Sequence, residues 1–237
     1  CKHVASHKKH YMLWIFGWFA VIRLILLIVW ILWWTYHFPY NATAQWPGYI
    51  SPEQCSSTSE IRRAECEALV DIYNSMNWSS RTHNDNRWDF SRICSWYGVQ
   101  CEKSTVRNIF LSENNLQGEL PQSIWSLEYL DTLDIGNNAI TRIPYTIWKL
   151  NKYLTKFYIH DNLLRELPTE LNTLSVLEIL DASHNQLDSN QLQIIFSLPS
   201  IRILSLSHNL LRDIPKEYSA IADTLQQLDL SYNQIKD

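Results

Sequence analysis

Leu225-Gln226-Gln227-Leu228-Asp229-Leu230-Ser231-Tyr232-Asn233-Gln234-Ile235 decides the fold of this chain. An apolar-x-x-apolar-x-apolar segment runs into an asparagine three residues on, followed by x-apolar. The same frame recurs around Asn114, Asn138, Asn162, Asn185, Asn209 and Asn233, at spacings of 24, 24, 23, 24 and 24. Its six copies run Leu111 to Leu116, Ile135 to Ile140, Ile159 to Leu164, Ala182 to Leu187, Leu206 to Leu211 and Leu230 to Ile235. A fixed period of about 20–50 residues marks units too small to bury their own apolar face, which stack to share one core.

Each part of the frame has a physical task. The alternating end, as in Leu228-Asp229-Leu230, predicts a short strand with one buried face. The chain must then turn inward, which leaves backbone groups needing partners. An asparagine amide offers two donors and an acceptor, so it can tie its own turn to the next coil. Leucine offers neither, and an ionised aspartate has no donor. Leu120-Pro121, Ile143-Pro144, Leu167-Pro168 and Ile214-Pro215 fall on the return leg, where proline fixes a bend without removing a strand donor. Ile124, Ile147, Leu171, Ile195 and Tyr218, then Leu127, Leu150, Leu174, Leu198 and Ile221, fill the core behind the strands. The coil from Leu177 lacks the proline, and an irregular bulge is expected near Asp188 to Leu192. Period and frame resemble those of leucine-rich-repeat proteins, and the expected fold is an α/β solenoid, a right-handed coil.

The net charge of −4 hides an asymmetry. Lys2, Lys8, Lys9 and Arg23 give residues 1–37 a charge of +4, so the remainder carries −8. No basic stripe spans the repeats, which argues against nucleic acid as a partner.

Tyr11 to Trp34 is apolar except for Arg23. As a helix this stretch reaches about 36 Å, enough for a hydrocarbon core of about 30 Å. Its Leu, Ile, Val and Phe residues favour insertion by about 0.3–0.6 kcal/mol each, and one central arginine opposes by about 2.5–3.5 kcal/mol, so insertion wins. Trp14 and Trp18 at one end and Trp30, Trp33 and Trp34 at the other resemble interfacial belts. The run exceeds the apolar core of a cleaved signal peptide, for which Ala42-Thr43-Ala44 would be the processing site. Lys8 and Lys9 place the N-terminus in the cytosol and the repeats outside the cell or in a lumen. Arg23 either snorkels to the interface or pairs with an acid on a partner membrane helix.

The organisation that follows is a basic cytosolic flank over 1–10, a transmembrane helix over 11–36, a linker over 37–56, a cap over 57–105 and repeats over 106–237. The repeats comprise five full coils and a truncated sixth. The last coil is cut short, so the natural protein is expected to continue with further coils or a cap. Asn41-Ala42-Thr43 and Asn77-Trp78-Ser79 are glycosylation sequons. Ser57-Thr58-Ser59-Glu60 is a capping box. Ile61, Ala64, Ala68, Leu69, Ile72, Tyr73 and Met76 follow at helical spacing, so this helix closes the end of the stack. Cys94 and Cys101 bracket a tight segment before the first coil, where a disulfide is expected outside the cytosol. Elimination leaves Cys55 with Cys66, although four cysteines allow three connectivities. Cys1 is left as a free thiol or an acylation site.

Glu67 to Asn74, the tryptophans at 78 and 88, and Cys94-x-Trp96-x-Gly98-Val99-x-Cys101 resemble the N-terminal cap of plant-type leucine-rich-repeat proteins. The likeness extends to receptor-like repeat proteins of algae and other protists. Leu116-Gln117-Gly118-Glu119-Leu120-Pro121 is similar to the plant-type repeat, whereas the coils at Ile140 and Leu164 have the shorter general form. The resemblance covers about residues 60–237. It implies a repeat domain that binds a protein, peptide or glycan.

The non-core strand positions should face the concave side and carry that ligand. Phe110, Glu113, Asp134, Lys156, Tyr158, His160, Asp161, Asp181, His184, His208, Asp229 and Tyr232 are the candidates, above all Phe110, Lys156 and Tyr158 as aromatic and charged anchors. Asp134, Asp181 and Asp229 are in phase, as in a calcium or acid–base site, but aspartate is an ordinary occupant of that repeat position. His184 and His208 could bind metal or sense pH, but Ser-His-Asn is also one way to write the turn. Trp125 and Trp148 lie beside core positions and are assigned to packing. No Gly-x-Ser-x-Gly, P-loop or His-Glu-x-x-His motif occurs, so no catalysis, cofactor or metal is expected. The function expected is a single-pass, receptor-like recognition domain; the alternative is a structural subunit of a larger membrane assembly.

Overall fold

The computed structural model describes residues 51–57, 61–75, 93–215, 221 and 223–236. All fall in the unit Ile50–Asp237, which is distinct from Cys1–Tyr49. The expected basic flank, the transmembrane helix with Arg23, the sequons at Asn41 and Asn77, and Met76 and Tyr218 lie outside the described residues. Among the described residues no helix is long and apolar enough to cross a membrane.

Seven strands form one sheet. β1 (Val99–Glu102) pairs antiparallel with β2 (Thr105–Phe110). β4 (Thr132–Asp134), β6 (Lys156–Tyr158), β7 (Ile179–Asp181), β8 (Ile203–Ser205) and β9 (Gln227–Asp229) then add in parallel, one per coil. Ile109, Leu133, Phe157, Leu180, Leu204 and Leu228 align as one column. The first five are fully buried. Burying a side chain of this size contributes about 1.5–3 kcal/mol. The neighbouring positions in each strand point to the other face, because successive side chains alternate.

The return legs explain the prolines. Pro121, Pro144 and Pro168 each stand in extended backbone immediately before a 3-10 turn, over Gln122–Ser126, Tyr145–Leu150 and Thr169–Thr173. A proline there starts the turn and forfeits no hydrogen bond inside it. Ile124, Ile147 and Leu171, with Leu127, Leu150 and Leu174, are buried behind the sheet. The coil without a proline carries a short helix, α2 (Gln191–Ile195), in place of the 3-10 turn. A second sheet, which the sequence pattern did not announce, pairs β3 (Gln117–Glu119) with β5 (Ala139–Arg142) in parallel. Gly118 sits at the irregularity of that pair with φ of +89°, a conformation that other residues adopt at a cost.

The asparagines close the stack. Asn162 donates from Nδ2 to the carbonyls of Ile159 and His160 in its own turn and to Ile135 one coil back, at 3.0–3.2 Å. Its Oδ1 accepts the N–H of Ile140 at 2.9 Å. Asn138, Asn185, Asn209 and Asn233 repeat the pattern, each reaching back to Leu111, Ile159, Ala182 and Leu206 respectively. Asn114, in the first coil, bonds to the carbonyl of Ser112 in its own turn. No buried side-chain polar atom among the described residues lacks a partner.

The cap differs from its expected outline. Helix α1 spans Arg63–Ser75 and so begins six residues after the capping box at Ser57, which instead ends a 3-10 turn, Pro52–Ser57. A Cys55–Cys66 disulfide ties that turn to α1, so the end of the expected linker is part of the cap. Cys94 and Cys101 form the second disulfide. Ala64 is exposed and Glu65 is fully buried, the reverse of what apolar spacing suggested. Glu65 accepts from Arg62 Nη2 at 2.7 Å and from the N–H of Val106 at 3.4 Å, which is how a buried carboxylate is tolerated.

Candidate functional site

The twelve candidate residues fall into four aligned columns beside the buried one. Phe110, Asp134, Tyr158, Asp181 and Asp229, with Ser205, share one column on the exposed sheet face. Lys156 belongs to a second, with Asn108, Thr132, Ile179, Ile203 and Gln227. Just beyond the strands, His160 lies over Gly136. The ring fits because Gly136 has no Cβ; one built there would come within 2.4 Å of Nε2. Glu113, Asp161, His184, His208 and Tyr232, with Asn137, form the last column, directly before the asparagines.

Ile179 and Ile203 were missed as face residues, and so were Glu178 and Arg202, paired at 3.7 Å beside them. Glu178-Ile179-Leu180-Asp181 and Arg202-Ile203-Leu204-Ser205 each hold two consecutive apolar residues, only the second of which is core. Strict alternation along the strand was the signal that could have separated them.

The aspartates each have a structural task. Asp134, Asp181 and Asp229 accept through Oδ1 from the N–H two residues on, at Gly136, Ser183 and Ser231, at 2.9–3.1 Å. Hydrogen bonds from Ser231, first from its side chain and then from its backbone, hold the Asp229 carboxyl below its ordinary pKa. Tyr158 sits between Asp134 and Asp181 in the register. Burial, then the charges of those two carboxylates, push its phenol above the ordinary value.

The last column is a turn device. All six of its residues have positive φ, between 49° and 59°. The His160 ring contacts Asp161 at 3.0 Å, and His184 approaches the same carboxylate at 3.8 Å. His184 stacks on His208 at 4.0 Å, and His208 on Tyr232 at 4.1 Å. Parallel stacking sets the imidazole nitrogens side by side and does not aim them at a common point. No group of metal-ligating side chains forms among the described residues.

One strand per coil on a shared sheet, a return leg started by proline and a ladder of back-bonded asparagines define a leucine-rich-repeat solenoid. Residues 105–127 match the Leucine Rich Repeat family. The chain is 32% identical over 82 residues to Receptor-like protein 36 of Arabidopsis thaliana, covering 35% of this chain and 11% of that protein. It is 37% identical over 57 residues to Receptor protein kinase WSS1 of Oryza sativa subsp. japonica, covering 23% of this chain and 6% of that one. The chain therefore spans about a tenth or less of the length of these relatives.

Solved structures agree on the fold. The ectodomain of the receptor kinase SOBIR1 from Arabidopsis thaliana aligns with a TM-score of 0.59 over 74% of this chain and 96% of its own, at 23% identity. The BIR3–SERK2 complex from Arabidopsis thaliana aligns at 0.55, over 69% and 96%, with 28% identity. The Arabidopsis HAESA ectodomain, in complex with an N-terminally extended IDA peptide hormone, aligns at 0.54, over 60% and 25%, with 28% identity.

Proposed function

We propose that this chain is a receptor-like recognition module that binds a protein or peptide across the exposed face of its parallel sheet. The observation that carries it is the make-up of the two outward columns. Phe110, Tyr158, Ile179 and Ile203 offer apolar contact on a rigid sheet, and Lys156 and the carboxylates of Asp134, Asp181 and Asp229 flank them. Aromatic anchors among charges are the usual composition of a binding hot spot. The HAESA and BIR3 structures, each solved with a partner, support the same use of the fold.

Residues 11–36 anchor this module in a membrane, with the N-terminus cytosolic and the repeats extracellular or lumenal. The two cap disulfides support that side of the membrane, because such bonds persist in oxidising compartments. The module recognises and does not catalyse: its in-phase aspartates brace turns at the edge of the binding face, and its imidazoles stack on one another.

Display selection of random peptides on the full chain in detergent tests the reading. Selected peptides should lose binding at least ~10-fold in Tyr158→Ala and in Lys156→Glu, and not in the return-leg variant Glu170→Ala. Peptides that bind all three variants as tightly as the parent would place the site elsewhere.

A further inference from the structure

The return-leg edge of the first two coils carries aromatic side chains that the repeat itself does not need. Trp125 and Trp148 occupy one place, four residues after Pro121 and Pro144; after Pro168 and Pro215 that place holds Asn172 and Ser219. Tyr129 and Tyr153 occupy another, three residues before β4 and β6; before β7, β8 and β9 it holds Val176, Ser200 and Thr224. A side chain required to build a coil recurs once per coil, as the asparagines do. The tyrosines do not recur, and the tryptophan place holds one further aromatic, Phe196 in the coil without a proline, which is buried where Trp148 is exposed. Three of them are not packed away, Trp148 being 41% exposed, Tyr153 38% and Tyr129 37%, against the packing role assigned to Trp148 from sequence; Trp125 is half-buried, and Tyr145 on the same turn as Trp148 is 55% exposed.

Cations lie on these rings. Lys149 Nζ is 3.7 Å from the centre of the Trp125 ring and 5.6 Å from that of Trp148. Tyr129 and Tyr153 are 5.0 Å apart, with Arg62 over the first and Arg107 over the second. The arginines are also paired with carboxylates, Arg62 with Glu65 and Glu128, and Arg107 with Glu102. Lys149 and Lys152 make no salt bridge with a described residue, and the stretch Tyr145 to Tyr153 contains no acid. The edge thus combines open ring surface with ammonium charge that no carboxylate among the described residues answers.

We propose that this edge, centred on Trp148 and Lys149 with Trp125, Tyr145, Lys152 and Tyr153 around them, binds an acidic glycan, a chain of uronate sugars. One face of a pyranose is a set of C–H bonds that packs on an indole or phenol ring. The carboxylate at the rim of a uronate takes an ammonium in a charge-assisted hydrogen bond. Lys149 already rests on Trp125, so its three donors are held at the height of the rings and little side-chain freedom remains to be lost on binding. Charge complementarity selects the acidic sugar over a neutral one. The site is separate from the sheet face and does not depend on what that face binds.

The test is calorimetric titration of the full chain in detergent with a galacturonate hexamer, against a glucose hexamer as the neutral control. The acidic hexamer should bind saturably, more weakly in high salt, and better than the control. Trp148→Ala/Lys149→Ala and, separately, Tyr145→Ala should each weaken it, the double variant by ~10-fold or more, with the melting temperature unchanged. Absence of heat at millimolar acidic hexamer, equal binding of the neutral hexamer, or unchanged binding in both variants overturns the proposal. So does sedimentation of the parent as a dimer that Trp148→Ala converts to monomer, because the edge would then belong to a second copy of the chain.

Discussion

The side-chain oxygen of Asn162 holds the backbone N–H of Ile140, from the preceding coil, at 2.9 Å. The bond is buried, and the amide of the same asparagine serves three carbonyls. Asn162→Leu would strand those groups inside the stack, each at about 1–3 kcal/mol where water cannot reach. We expect a loss of about 2–4 kcal/mol by urea titration, with relaxation limiting the damage. Asn162→Asp keeps the acceptor and loses the donors. It should be nearly as damaging at pH 7 and milder at pH 4, where a protonated carboxyl regains one donor. An Asn162→Leu variant that melts with the parent would show that the ladder is ornamental.

Cap and solenoid meet at a second buried polar group. Glu65 is fully buried, and Arg62 links it to Glu128 in the first coil, at 3.2 Å. Removing one partner of a buried ion pair usually costs about 3–5 kcal/mol, and the exposure of Arg62 calls for a discount. Arg62→Ala should therefore cost about 1–3 kcal/mol, and Glu128→Ala, which touches only the exposed arm, less than about 1 kcal/mol. Denaturant midpoints of the two variants decide this; equal losses would mean that Glu65 does not depend on Arg62.

These two contacts show where sequence was informative. The asparagine period and the apolar columns were legible because a repeat must satisfy the same backbone groups in every coil, so the solution is written six times. Glu65 was not legible, because its partners are Arg62, close in sequence, and Val106, 41 residues away and known only once the cap is docked. The second sheet escaped for a related reason: Gln117 to Glu119 has no apolar alternation, and its pairing is set by the neighbouring coil. Within the site, the polar face residues were found by phase alone. Ile179 and Ile203 were lost among core residues, and the exposure of Trp148 was hidden because an indole beside a core position reads as packing.

Tyr158 offers a pH test of the sheet face. Burial and the flanking carboxylates raise its pKa in the folded state, so the folded chain holds that proton more tightly than the unfolded chain does. The associated stability is complete below the unfolded tyrosine pKa of about 10 and is lost as pH rises through the folded value. Melting temperature should fall above that unfolded value with a component that Tyr158→Phe removes. Asp134→Asn and Asp181→Asn should each bring the phenol partway back, read by ultraviolet difference titration. A Tyr158→Phe profile that overlays the parent across this alkaline range would refute the assignment.

His184 decides between a turn residue and a functional imidazole. Its φ of 52° lies in the left-handed region, as do those of all its counterparts in the other coils. Asparagine tolerates that conformation and β-branched residues resist it. If the position serves the turn, His184→Asn should leave stability within about 0.5 kcal/mol of the parent, and His184→Val should cost about 1–2 kcal/mol. The stack on His208 would be lost in both, so it cannot account for a difference between them. The decisive comparison is thermal unfolding of the two variants side by side. Equal destabilisation by Asn and Val would assign the energy to the imidazole stack and its contact with Asp161. The column from His160 to Tyr232 would then have to be reread as a built feature of the binding face.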